Sequence, residues 1–260
     1  VEEVSNGSFS QEGVELVTGT NSDMSGANSW VTGLGSLDFN INTTVQNKMW
    51  CNFTTGNQQV ILPNTIEAGK SYLVSLTAKL NSGTATSVMI GGFTSNQTSN
   101  TVFNITPTST TVTYSGYINS DTNTSLSIGI IAANNNGSDF EFDNVSVREV
   151  GQDWELQNGW SIGDDVAVFS GTASAYRKLY QENILTIGET YKLTFDIVSI
   201  NSGSIKNFSQ SNPTSYSTIG TKTEYFTATF DDLFLEPTTD ADCSITNISV
   251  KEVGQNWDLQ

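Results

Sequence analysis

The sequence predicts an all-β chain of two β-sandwich units in tandem, and three observations lead there. Residues 144–156 read Asn-Val-Ser-Val-Arg-Glu-Val-Gly-Gln-Asp-Trp-Glu-Leu and residues 247–259 read Asn-Ile-Ser-Val-Lys-Glu-Val-Gly-Gln-Asn-Trp-Asp-Leu. An internal repeat of this kind sets the unit of folding. Apolar residues recur at every second position between turns rich in Gly, Asn, Ser and Asp, the pattern of half-buried strands. Charged residues are only 14% of the chain, and Lys, Glu, Ala and Leu are thin beside Asn, Ser, Thr and Gly, which disfavours helix.

The repeat places the boundary near Gly151. It gives a first unit over 1–150, a second and shorter one over 151–253, and the opening of a following repeat over 254–260. Val1-Glu2-Glu3-Val4 reads as the close of an earlier copy, by comparison with Val147–Val150 and Val250–Val253. Within the units, strands are expected at Leu37, Phe39 and Ile41; at Tyr72, Val74, Leu76 and Ala78; at Tyr191, Leu193, Phe195 and Ile197; and at Phe226, Ala228 and Phe230. Two of them follow matching turns, Ala68-Gly69-Lys70-Ser71-Tyr72 and Ile187-Gly188-Glu189-Thr190-Tyr191.

The last strand of each unit has a step of three where a flat strand allows two. Phe140 and Phe142 are followed by Val145 and Val147, and Cys243 and Ile245 by Ile248 and Val250. A β-bulge at Asp143-Asn144 and at Thr246-Asn247 restores the apolar face. Cys243 thereby takes the slot of Phe140, as a buried core thiol. Two cysteines, Cys51 and Cys243, are too few for a disulfide framework.

Ten basic residues against 27 acidic ones leave a formal charge of −17, which repels phosphate backbones and argues against nucleic acid as a partner. There is no histidine, so the Ser/His/Asp and Cys/His triads and His-ligated zinc are excluded. Carboxylate pairs remain, but Asp164-Asp165, Asp231-Asp232 and Asp240/Asp242 are turn neighbours and cannot flank a glycosidic bond from opposite faces. A catalytic function is not expected. No run of 18 or more apolar residues exists, so membrane insertion is not expected either.

Phe142-Asp143-Asn144-Val145-Ser146-Val147-Arg148-Glu149-Val150, closing a β-rich unit, resembles the galactose-binding-like jelly rolls grouped as CenC-type carbohydrate-binding modules. The tandem arrangement looks like modules of bacteriophage virion and tail proteins, where openings such as Gly151-Gln152-Asp153-Trp154 and Asn158-Gly159-Trp160 also occur. The resemblance implies a jelly roll that recognises polysaccharide or a cell-surface glycan on a β face or loop edge. It also implies an extracellular or virion-surface setting beside neighbouring repeats of the same chain. It further implies a structural Ca2+ at Asp143, where the second unit has Thr246; a bulge Asp bonding its own backbone accounts for Asp143 equally well.

Aromatic side chains stack on sugar C–H faces, while amides and guanidinium groups bond hydroxyls. Trp30 and Trp50 have no sequence counterpart in the second unit and are the candidates in the first. Trp154, tied to the repeat, reads as packing. In the second unit Tyr176-Arg177-Lys178-Leu179-Tyr180-Gln181, taken as a strand, sets Arg177 and Gln181 on one polar face and Tyr176 and Tyr180 on the other. That segment is either a glycan-gripping strand or a solvated one. The expected function is non-catalytic carbohydrate binding; the alternative is a structural spacer of a viral fibre or adhesin.

Overall fold

The computed structural model describes residues 1–35, 37–41, 47–93, 102–120, 122–135, 137–170 and 177–254. The chain divides into two compact units. One is continuous, Gly13–Glu149; the other is split, joining Val1–Glu12 to the chain from Val150 onward. The first twelve residues, expected in the first unit, therefore fold with the second. The physical reason is a set of hydrogen bonds to its closing strand, described below.

Among the described residues the continuous unit has two antiparallel sheets. One contains β1 (Glu12–Glu15), β3 (Asp38–Ile41), β4 (Met49–Phe53), β6 (Ser71–Ser82), β9 (Val112–Asn119) and β11 (Ser138–Val150), ordered β3-β4-β11-β6-β9 with β1 also on β11. The other contains β2 (Val31–Leu34), β5 (Gln58–Leu62), β7 (Val88–Gly91), β8 (Val102–Ile105) and β10 (Leu126–Ile130), ordered β2-β5-β10-β7-β8. A short helical turn, Thr20–Asp23, is the one helix among the described residues.

The split unit repeats this order. Its sheets run β12 (Glu155–Leu156), β15 (Leu179–Gln181), β20 (Leu233–Pro237), β17 (Ile205–Asn207), β18 (Ser215–Tyr216), and β13 (Trp160–Gly163), β14 (Val166–Ser170), β21 (Asp242–Glu252), β16 (Thr190–Ser202), β19 (Gly220–Thr227). Among the described residues the unit that is shorter in sequence thus matches ten of the eleven strands, all but β1, in whose place Glu2 makes an isolated bridge to Lys251. The architecture is two β-sandwiches of the jelly-roll kind.

Alternation builds the cores. In β6, Tyr72, Val74, Leu76 and Ala78 are buried while Leu73, Ser75, Thr77 and Lys79 face outward; in β16, Tyr191, Leu193, Phe195 and Ile197 are buried. Both strands begin after a glycine at positive φ, Gly69 (81°) and Gly188 (93°), a conformation that side chains with a Cβ rarely adopt. Both then use their first tyrosine to hold the preceding turn: the Tyr72 hydroxyl accepts Glu67 N–H at 2.7 Å and the Tyr191 hydroxyl accepts Thr186 N–H at 2.8 Å. Burial pushes the Tyr72 phenol up to about 12.

The closing strands carry their irregularity at the two asparagines. Asn144 (φ 52°) and Asn247 (φ 53°) are left-handed, and β21 gains a residue relative to β16 between the pairs Thr194–Ser249 and Asp196–Thr246. Phe140, Phe142, Val145 and Val147 are consequently all buried.

The two units also share an anchor. The Glu15 carboxylate accepts Ser146 Oγ (2.5 Å), Val147 N–H (2.7 Å) and Val17 N–H (3.1 Å), with Arg148 at 3.4 Å. In the split unit Glu2 accepts Ser249 Oγ (2.5 Å), Val250 N–H (2.7 Å) and Val4 N–H (3.4 Å), with Lys251 at 3.8 Å. Val1-Glu2-Glu3-Val4 is thus the structural counterpart of Val14-Glu15-Leu16-Val17, an opening segment and not the close of an earlier copy.

Candidate functional site

The β4 strand sets the site. Met49, Cys51 and Phe53 point into the core, so the pleat turns Trp50 and Asn52 to the opposite face of the sheet. Across that face Trp50 lies opposite Glu141 on β11 and Asn40 on β3, and Asn52 lies opposite Asp139 and Asp38. A partly exposed indole is therefore surrounded by amides and carboxylates on the outer surface of one sheet.

Next to Glu141 the outer surface is nearly flat, and Lys48, Thr77, Lys79 and Asp143 lie around that carboxylate. Glu141 is 8% exposed, and its carboxylate makes no side-chain hydrogen bond or ion pair among the described residues. A carboxylate so placed leaves its lone pairs for donors from outside the chain. Farther along the same face, Tyr117 on β9 lies opposite Leu73, on the outward side of the β6–β9 pair. Sequence reasoning missed Glu141, Lys79 and Tyr117. Only the outward phase of their strands marks them, and that phase depends on register.

Asp143 is already occupied. Its carboxylate is paired with the Lys48 ammonium, and it accepts Asn144 N–H at 2.7 Å and Asn144 Nδ2 at 3.2 Å. No group of three or more His, Cys, Asp or Glu able to hold a metal occurs among the described residues. The residues at Asp143 do not fit a calcium ion: one neutralised carboxylate serving its own bulge falls short of the oxygen ligands that Ca2+ requires.

Trp30 belongs to the core. It is 4% exposed, and its indole N–H donates to the Asn21 carbonyl at 3.0 Å. It does have a counterpart, because Trp154 immediately precedes the corresponding strand and donates to the Asn6 carbonyl at 3.1 Å. The equivalence escapes the sequence because the residues around the two tryptophans differ. A buried indole offers no face for stacking, so Trp30 is removed from the site.

The second-unit candidates serve their own unit. Arg177 Nε donates to the Pro237 carbonyl at 3.0 Å and Nη2 to Glu236 at 3.0 Å. Leu179 points into the core, and Gln181 follows it by alternation to 3% exposure. There Gln181 exchanges two hydrogen bonds with the Ser5 backbone, at 3.1 and 2.6 Å. Tyr180 faces the other way, opposite Phe234 and Glu155. Lys178 caps the Phe234 ring at 4.0 Å. Tyr176 lies outside the described residues. The Arg177 and Gln181 side chains therefore hold structure and form no open polar face.

The split unit does not reproduce the site. Its positions matching Trp50 and Glu141 are Val168 and Ser244, directly opposite one another, and those matching Lys48 and Asp143 are Val166 and Thr246.

No family model and no curated protein matches the chain. Solved structures similar to it include the tandem CBM22-1–CBM22-2 domain of Xyn10C from Paenibacillus barcinonensis, 12% identical, covering 94% of this chain and 99% of that one with a TM-score of 0.45. They also include the family 11 carbohydrate-binding module of Lic26A-Cel5E from Clostridium thermocellum, 18% identical over 53% of this chain and 95% of that one, TM-score 0.38. A third is the N-terminal cellulose-binding domain of β-1,4-glucanase C from Cellulomonas fimi, 14% identical over 51% and 91%, TM-score 0.33.

Proposed function

We propose that the chain is a non-catalytic glycan-binding protein whose binding surface is the outer face of the six-stranded sheet in the continuous unit. The observation that carries this reading is Trp50 placed directly opposite Glu141, a partly exposed indole beside a carboxylate on the outward side of the sheet. The indole stacks on the apolar side of a pyranose ring, worth about 1 kcal/mol. Glu141 accepts ring hydroxyls while Asn40 and Asn52 donate to others. Polysaccharide or a cell-surface glycan is the proposed partner, and an extracellular or virion-surface repeat protein of the CenC type is the proposed setting.

A structural spacer is the second reading, and it suits the split unit. There Val168 and Ser244 replace the indole and the carboxylate, and Arg177 and Gln181 are spent on the fold. Isothermal titration calorimetry of the full chain against xylan, mixed-linkage β-glucan and cellulose oligosaccharides tests the proposal. Binding that falls several-fold in both Trp50→Ala and Glu141→Gln supports it. Absence of binding at millimolar concentration to every glycan assigns the whole chain to the spacer role.

A further inference from the structure

We propose that the split unit carries a glycan site of its own, on the outer face of the sheet that holds β16, β19 and β21, and that this site selects sugars bearing a carboxylate. Tyr225 on the edge strand β19 is 65% exposed and lies directly opposite Lys192 on β16, which in turn lies directly opposite Lys251 on β21. All three point outward, because their neighbours Phe226, Leu193 and Val250 are buried. One row across the sheet thus reads aromatic, cation, cation. Like charges directly opposite one another on adjacent strands oppose folding, yet two of only ten basic residues in the chain form this pair. Lys251 has the Glu2 carboxylate at 3.8 Å, which also holds the Val250 N–H. The Lys192 ammonium makes no side-chain hydrogen bond or ion pair among the described residues. Asp196, on the same face of β16 but about 13 Å along the strand, is bonded to Thr221 and Asn247. An anion between the two ammonium groups relieves their repulsion, and the exposed ring beside them suits a pyranose. Neighbouring strands lie about 4.8 Å apart, so a pyranose on the Tyr225 ring sets its own carboxylate within reach of Lys192. A uronic acid residue meets both demands.

The continuous unit marks the difference. Leu73 follows Tyr72 as Lys192 follows Tyr191, and Leu73 lies opposite Tyr117 as Lys192 lies opposite Tyr225. The outward tyrosine is common to both units, whereas the lysine beside it belongs to the split unit alone. The proposal rests on the glycan-binding reading for its class of ligand. It places the acidic sugar, however, on the unit that lacks Trp50 and Glu141, in place of a spacer role there.

Isothermal titration calorimetry of the full chain with trigalacturonate and with its uncharged methyl ester tests this. The acid is expected to bind about threefold to fivefold more tightly than the ester. Lys192→Gln is expected to bring the acid down to the affinity of the ester and to leave the ester unchanged. By removing a like-charge contact it is also expected to leave the melting temperature no lower. Tyr225→Ala is expected to weaken both ligands. Trp50→Ala is expected to weaken neither, since the Glu141 carboxylate beside Trp50 disfavours an acid. Equal binding of acid and ester, or no binding of either at millimolar concentration, overturns the proposal. Loss of trigalacturonate binding in Trp50→Ala, with Lys192→Gln unaffected, also overturns it; that result returns the ligand to the continuous unit and leaves the proposed function standing. Neutral β-glucan, titrated into the Lys192→Gln and Tyr225→Ala chains, is expected to bind as it does to the unaltered chain, which separates the two sites. Pentaglutamate binding as tightly as trigalacturonate shows attraction of any anion and overturns the glycan site.

Discussion

Cys51 lies directly opposite Phe140 across β4 and β11, both wholly buried, and in the split unit the same two residue types exchange sides, with Phe169 opposite Cys243. Each pair gives the core one ring and one small thiol, so volume is conserved while the strand carrying the ring changes. Phe140→Cys alone leaves a void costing about 3 kcal/mol, and Cys51→Phe alone overpacks by about 1–3 kcal/mol. The double exchange is expected to recover much of both losses, since contacting residues couple by about 0.5–3 kcal/mol. Urea unfolding of the four chains checks it. Burial also pushes both thiols up, Cys243 to about 12, so neither is expected to react with iodoacetamide until the chain unfolds.

The two tryptophans first grouped together are expected to separate on mutation. Trp30→Ala removes a core indole and a hydrogen bond and is expected to cost about 3–5 kcal/mol. Trp50→Ala acts on an outward face, and its stability cost is expected to stay below about 1.5 kcal/mol while glycan affinity falls several-fold. Thermal unfolding beside calorimetry distinguishes the two; a large stability loss in Trp50→Ala contradicts its place on the binding face.

The bulge asparagines set a second stability test. At positive φ a β-branched side chain is strained, so Asn144→Val and Asn247→Val are each expected to destabilise by about 1–3 kcal/mol. Asn144→Gly and Asn247→Gly keep the backbone accessible and are expected to be much milder. Equal losses from Gly and Val would mean that the side-chain bonds, such as Asn247 Nδ2 to Asp196 at 2.8 Å, dominate over the backbone conformation.

Acid should loosen the continuous unit through Glu15. Burial raises its pKa, but the bonds from Ser146, Val147, Val17 and Arg148 outweigh that and hold it below the ordinary 4.5. A carboxylate lowered in the folded state contributes stability that is intact above 4.5 and is lost as pH falls through the folded value. Melting temperatures measured from about pH 6 down to about pH 3 are expected to fall less steeply in Glu15→Gln than in the unaltered chain. An unchanged slope assigns the acid sensitivity to other carboxylates.

Local pattern alone determined the β class, the core faces of β6 and β16, the bulges at the two asparagines and the burial of Cys243. Each of these follows from a period of two or its interruption, which neighbouring residues specify among themselves. The closing Ser-Val-(Arg/Lys)-Glu-Val repeat was equally legible, but what docks on it was not. Glu2 and Ser249 stand far apart in the chain, and no local rule assigns Val1–Glu12 to the split unit. Tertiary structure also decided the site. Trp30 and Trp50 both lack a sequence counterpart in the second unit, yet one fills the core and the other faces outward, because the pleat turns Trp50 to the face away from Met49 and Cys51. Register across β4 and β11 then brought Glu141 beside that indole, a long-range pairing that the order of residues does not display.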